Sequence, residues 1–180
     1  AVIWTHDHPD HCHGIDDLRQ LYHARGAALP GYARQKTLDT LLARFGYAFE
    51  GKGGYPAVVT GNFLPDRLAL GDIEVGIVDQ PHGDISVAGI RFSADGRSIG
   101  YSTDFNALTD EMITLFKGVD VWIVDALRRR PHPSPRCGRS TIRRRGSMAT
   151  EFYTASTVRY GPCPLMAEGG PSGTSPPPNP

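Results

Sequence analysis

The run Thr5-His6-Asp7-His8-Pro9-Asp10-His11 sets three imidazoles and two carboxylates within seven residues. Neutral imidazole is the commonest protein ligand for zinc and similar ions, and a carboxylate adds charge and a harder oxygen donor. A loop leaving a strand end can turn His6, His8, Asp10 and His11 toward one point, so the chemistry on offer is metal binding. An expression tag would be contiguous histidine, whereas this run lies between an apolar, β-prone segment and a helical one. The four donors cannot surround a single tetrahedral ion without crowding, because adjacent side chains diverge. Two ions sharing the loop relieve that, and two ions need donors from elsewhere. His82, in Asp79-Gln80-Pro81-His82-Gly83, and Asp104, in Tyr101-Ser102-Thr103-Asp104, both fall at predicted strand ends. Each also has a plainer reading: His82 as polar loop surface, Asp104 as the N-cap of a helix over 106–116.

The elements that must position these groups follow from periodicity. Ala1–Thr5 reads as a strand, which needs partners. Ile15, Leu18, Leu21 and Tyr22 fall at helical spacing over 14–22, with Asp16 and Asp17 in the first turn, where the helix dipole favours acids. Leu38, Leu41 and Leu42 mark a second helix at about 34–44. From Val58 onward the period becomes two. Arg67–Leu70 and Ile73–Asp79 pair about Gly71-Asp72, and Ser86–Ser93 and Ser98–Thr103 pair about Ala94–Arg97. Leu108, Met112, Leu115 and Phe116 make a helical stripe that Gly118 ends, and Val119–Val124 reads as a buried strand. Strands grouped with intervening helices predict an α/β fold of stacked layers.

The chain has 180 residues, 39% apolar and 21% charged, with a mean hydropathy of −0.31, which fits one globular domain and excludes collagen-like and wholly disordered classes. The formal charge of zero hides an asymmetry: 1–125 hold 10 basic and 17 acidic residues, whereas 126–180 hold 9 arginines and 2 glutamates. After about Arg130 periodicity fails. Residues 131–180 hold 10 of the 15 prolines, and this Pro/Arg/Gly-rich stretch is predicted to be a largely disordered tail after a domain over 1–130. No apolar run approaches the roughly 18 residues of a membrane span. Cys12, Cys137 and Cys163 are odd in number without CxxC spacing, so a reducing, cytoplasmic setting is expected rather than a disulfide framework. Cys12 is read as a buried thiol, with ligation as the alternative.

The run T-H-D-H-P-D-H resembles the HxHxDH metal motif of the metallo-β-lactamase superfamily. Its continuation His13–Arg19, with Gln80-Pro81-His82-Gly83, Gly100-Tyr101-Ser102-Thr103-Asp104 and Val124-Asp125-Ala126-Leu127-Arg128, resembles more narrowly the phosphoribosyl 1,2-cyclic phosphate phosphodiesterase branch, over roughly 1–132. The resemblance implies an αββα sandwich, here lacking N-terminal strands, and a hydrolase with two divalent metal ions, zinc or manganese. It implies that His6, His8 and His82 hold one ion, Asp10 and His11 the second, and that Asp104 bridges them, with Asp10 and Asp104 the catalytic carboxylates. It implies metal-activated attack of hydroxide on a small cyclic phosphodiester. Asp7 and Asp125 are candidates to orient the imidazole ligands or to cap elements. His13, expected to pack or cap near the helix start, receives no site role.

The family pattern has a further histidine ligand late in the chain, and in this branch another active-site histidine. No histidine follows His132 here. The expectation is a partial chain whose reading frame is lost near 133–136, with a weakly held second ion. The alternatives are an inactive metal-binding remnant, or another reaction of the superfamily such as thioester, lactam or tRNA 3′-end hydrolysis. Nucleic-acid binding through Arg128–Arg130 and Arg143–Arg145 is disfavoured, since no aromatic residues interleave the arginines and the body is acidic. The partner expected is a small phosphoester. A membrane is not expected, and a homodimer is compatible with the sequence.

Overall fold

The computed structural model describes residues 1–124 and 152–154. Strand β1 (Val2–Ile3) pairs in parallel with β2 (Leu29–Ala33), which pairs in parallel with β3 (Val59–Phe63), in the order β1-β2-β3. Sequence periodicity does not find β2, because Leu-Pro-Gly-Tyr-Ala reads as a turn. Gly31 is there for space: a Cβ at that position would lie 2.6 Å from the Trp4 ring and from Val59.

Parallel strands need crossovers, and helices supply them. Between β1 and β2 lie α1 (Pro9–Cys12), a 3-10 turn (His13–Asp17) and α2 (Leu18–Arg25), which ends on Gly26 at φ 70°. The single helix expected over 14–22 is therefore corrected: its first residues wind as 3-10 and the α-helix starts at Leu18. Between β2 and β3 runs α3 (Gln35–Glu50), longer than the expected 34–44 because it continues past a kink at Phe45. Trp4, Cys12, Ile15, Ala33, Leu38, Leu41, Ala48, Val58 and Val59 form the core between these helices and the first sheet. Cys12 is a buried thiol there.

The second sheet has the order β4-β5-β6-β7-β8-β9. Strands β4 (Arg67–Leu70), β5 (Ile73–His82), β6 (Ile85–Ala94) and β7 (Arg97–Ser102) form an antiparallel meander. At the β6–β7 turn both Asp95 and Gly96 take positive φ (50° and 71°), the conformation a two-residue hairpin requires. Helix α4 (Asp110–Phe116) then crosses to β8 (Val121–Val124), parallel to β7. Its N-cap is Thr109, whose side chain accepts from Met112 N–H, so the expectation of a helix beginning at 106 and capped by Asp104 is corrected.

Leu64, Val75, Ile77, Ala88 and Ile90 form a second core between the sheets, with Ile3 and Tyr32 from the first sheet packed against it. On the other face of the second sheet α4 sits close because glycines make room: a Cβ at Gly76 would lie 2.9 Å from Leu115, and one at Gly100 2.8 Å from Phe116. The layers therefore run helices, sheet, sheet, helix, the αββα order expected.

The boundary expected at 130–131, and with it Asp125, His132 and both arginine clusters, lies outside the described residues. Within the stretch expected to be disordered, Phe152–Thr154 is a strand, β9, parallel to β8. Three residues are too few to display a period of two, and an open strand edge pairs through backbone groups whatever the side chains. Among the described residues no helix is long and apolar enough to cross a membrane.

Candidate metal centre

The opening loop is shaped by one proline. The residue before a proline is confined to extended backbone, and His8 accordingly has φ −66° and ψ 148°. Pro9 then starts α1, a position where its missing N–H costs nothing. Along the extended part, His6 and His8 project to one side and Asp7 to the other. The His6 and His8 rings lie edge to face with centroids 4.6 Å apart. The turn of α1 folds back through His11 N–H donating to His8 O at 3.0 Å, which brings the His11 ring to 4.3 Å from that of His6.

The two distant residues arrive from the second sheet. His82 is the last residue of β5 rather than a loop residue, and its ring lies 5.1 Å from that of His8 and 5.6 Å from that of His6. Asp104 follows β7 in left-handed backbone at φ 46°, uncommon for a residue with a side chain. One backbone bond, Ala88 N–H to Thr5 O at 2.9 Å, ties the second sheet to the start of the loop.

Among the described residues two donor groups result, each with its ligand atoms within 4.8 Å of one another: His6, His8 and His82, and His6, His11 and Asp104. Asp104 Oδ2 lies 2.7 Å from His11 Nε2 and 3.7 Å from His6 Nε2. Neither approach is aligned as a hydrogen bond, and both His6 Nε2 and Asp104 Oδ2 are buried with no hydrogen-bond partner among the described residues. An orphaned buried polar atom costs about 1–3 kcal/mol, more when charged. Donors that converge on a point instead of on one another are what a cation relieves, so these residues fit a divalent metal. Asp10 stands apart from both groups. Its carboxylate is 79% exposed and, among the described residues, is paired with His11 alone, at 3.3 Å.

The electrostatics agree with ligation. Burial, and then repulsion from His11 and His8, lowers the His6 pKa from 6.5 to about 4, against the opposing pull of Asp104. Burial likewise lowers that of His82. Both rings are therefore neutral at pH 7, with a lone pair free to donate. His6 Nδ1 is 3.1 Å from Thr5 Oγ1, and in the tautomer that leaves Nε2 bare it is Nδ1–H that donates to the hydroxyl. Thr5→Val keeps the shape and removes that acceptor. It is expected to weaken Zn²⁺ affinity by about tenfold, read by chelator competition.

Sequence reasoning assigned Thr5 no role, although its place next to the first histidine was the available signal. It also passed over Arg44 of α3, for which the sequence carries no signal. Asp7, a candidate to orient the imidazole ligands, points instead to the helical layer. Arg44 Nη1 donates to Asp7 O at 2.7 Å and Arg44 Nη2 lies 3.7 Å from its carboxylate, so the loop is held from behind. His13 is exposed and packs edge-on against Phe45.

The family described as "Beta-lactamase superfamily domain" matches residues 1–158. A diphosphatase of the PhnP family, solved as a crystal structure, is 32% identical with a TM-score of 0.63, covering 77% of this chain and 50% of its own. Zn²⁺-bound PqqB from Methylobacterium extorquens shares the fold, with a TM-score of 0.55 at 17% identity over 69% of this chain and 44% of its own. Among curated proteins, an octanoyltransferase of Porphyromonas gingivalis is 30% identical over 138 residues, 74% of this chain but 27% of that protein. The chain thus spans about half the length of the PhnP-family structure and about a quarter of the octanoyltransferase. The PhnP-family likeness fits the cyclic phosphodiesterase branch that the motifs resemble. On the family match and the layered fold, the chain belongs to the β-lactamase superfamily and has the metallo-β-lactamase fold, with His and Asp donors converging at its opening loop.

Proposed function

We propose that this chain hydrolyses a phosphodiester, a small cyclic phosphate being the substrate class, with divalent zinc or manganese held by the two donor groups. The observation that carries this reading is the placement of the Asp104 carboxylate against His11 and His6, beside an all-imidazole group that shares His6. Likeness to a PhnP-family diphosphatase supports a phosphorus substrate. His6, His8 and His82 would hold one ion. His11 and Asp104 would serve a second, with Asp10 adding an exposed oxygen donor at its margin. When bound, such ions lower the pKa of water toward neutrality and polarise phosphoryl oxygens.

The chain's own groups set the terms. His6 and His82, kept neutral by burial, present lone pairs without first losing a proton. Asp104 brings the negative charge, and its left-handed backbone turns the carboxylate back into the site. His6 has one free ring nitrogen for two donor groups, since Nδ1 is engaged by Thr5. His6 would therefore serve one ion fully, and the second would be held more loosely. The small phosphoester partner and a cytoplasmic setting belong to this reading and rest on the sequence alone.

The test uses the full chain with bis-(p-nitrophenyl) phosphate and a thioester in parallel, with elemental analysis of bound metal. The expected result is diester cleavage that a chelator abolishes and Mn²⁺ or Zn²⁺ restores, with one tight equivalent of metal and a weaker second. Thioester cleavage without diester cleavage would reassign the substrate class. Bound metal with neither activity would make the chain a metal-binding remnant.

A further inference from the structure

We propose that Gln80 is a positioning residue: with Ser102 and Asn106 it fixes the separation of His82 and Asp104, the two donors that come from outside the opening loop. The inference rests on the metal reading above. His82 ends β5 and Asp104 follows β7, and β6 lies between those strands, so no ladder of backbone hydrogen bonds joins them directly. The join is made by the side chains of Gln80, Ser102 and Asn106, with one backbone bond beside them.

Gln80 is fully buried, and its amide is laid across β6 at Gly89. A Cβ at Gly89 would lie 2.6 Å from Gln80 Cδ and Nε2, so the crossing needs a glycine beneath it. Gln80 Nε2 donates to Ser102 Oγ at 2.9 Å. Ser102, also fully buried, accepts a second bond from Trp122 Nε1 at 2.9 Å, and the Trp122 ring stacks on Phe116 with centroids 4.8 Å apart. The far end of the crossing is thus anchored to β8 and α4. Beyond the two donors a second crossing closes the frame: Asn106 N–H donates to Pro81 O at 2.7 Å, and Gly83 N–H donates to Asn106 Oδ1. Bonds from residues 80, 81 and 83 flank His82 and meet partners at 102 and 106, which flank Asp104.

Stability alone does not account for Gln80. Its Oε1 is buried with no hydrogen-bond partner among the described residues, and an apolar side chain of the same volume would carry no such orphan. A metal site works only when its donors are held within about 0.5 Å of the productive geometry, and an inflexible cross-strand brace supplies that.

The experiment compares the full chain with Gln80→Met, which conserves volume, and with Asn106→Ala, using Co²⁺ alone as probe. For Gln80→Met the midpoint of thermal unfolding without metal is expected to stay within about 4 °C. Its Co²⁺ affinity is expected to fall about tenfold, with an altered visible absorption spectrum. Backbone amide exchange at 82–83 and 104–106 is expected to accelerate at least about threefold while that of α3 stays unchanged. A folded Gln80→Met chain with unchanged Co²⁺ affinity and spectrum would overturn the inference. Should the unaltered chain take up no Co²⁺, the proposed function fails, and exchange still decides the brace: unchanged rates at both segments refute it. If Gln80→Met does not fold, Asn106→Ala provides the same readings from the other crossing, with unchanged exchange again refuting the brace.

Discussion

Replacing His6 by alanine is expected to abolish metal-dependent turnover, a loss of at least about a thousandfold, larger than that from any other single change in the chain. His6 belongs to both donor groups, so its removal leaves His8 and His82 on one side and His11 and Asp104 on the other, neither a complete set of three. The loss should appear in kcat/KM against bis-(p-nitrophenyl) phosphate and in bound metal measured on the same sample. Asp104→Asn separates charge from backbone: asparagine tolerates the left-handed φ of 46°, so the turn survives while the anionic donor is gone. It is expected to release the weaker ion and lower turnover by about a hundredfold. His13→Ala, at an exposed ring against Phe45, should leave turnover unchanged. A His6→Ala chain that folds and retains a tenth of the parent turnover would refute the assignment.

The second large effect is an acid weakness of the metal-free chain. An imidazole whose pKa drops from 6.5 unfolded to about 4 folded leaves stability intact above 6.5. As pH falls through the interval, the unfolded chain takes up a proton that the folded chain refuses, and stability declines until pH 4, below which this contribution is constant. For His6 the interval corresponds to about 3 kcal/mol, at about 1.4 kcal/mol for each pKa unit. His82 is lowered in the same direction and adds to the decline. Urea unfolding at pH 7.5 and 4.5 should show the loss, and His6→Asn should show much less of it, since carboxylates elsewhere contribute equally to both chains. Equal pH dependence in the two chains would refute the claim. Metal added at pH 7.5 should stabilise the parent by mass action.

Local pattern made much of this protein legible. The hairpins β4–β5 and β6–β7 were readable because alternation along a strand and the Gly-Asp and Asp-Gly turns between strands are short-range properties, whereas the pairing of β5 with β6 through His82 was not among the expectations. The opening cluster was readable because six residues suffice to hold four donors. Where the reading failed, a second element had decided. Strand β2 hides behind Pro30 and Gly31, and Gly31 makes sense only beneath Trp4. The N-cap of α4 moved from Asp104 to Thr109 because Asp104 is turned into the site instead.

By itself, then, the sequence determined which residue types are present to bind a metal, that the body is a layered α/β fold, and through its motifs the superfamily to which it resembles a member. The tertiary structure alone decided that His82 and Asp104 meet the opening loop, that Asp7 faces Arg44 and Asp10 faces solvent, and that His6 is shared between two donor groups. The division has a physical cause. A chain's local preferences reach a few residues along it, whereas a coordination site is a set of distances between segments 71 to 98 residues apart in number, as from His11 to His82 and from His6 to Asp104. Only packing of sheet against sheet sets those distances, and burial, which keeps His6 neutral and leaves its Nε2 without a hydrogen-bond partner among the described residues, exists only once that packing is complete.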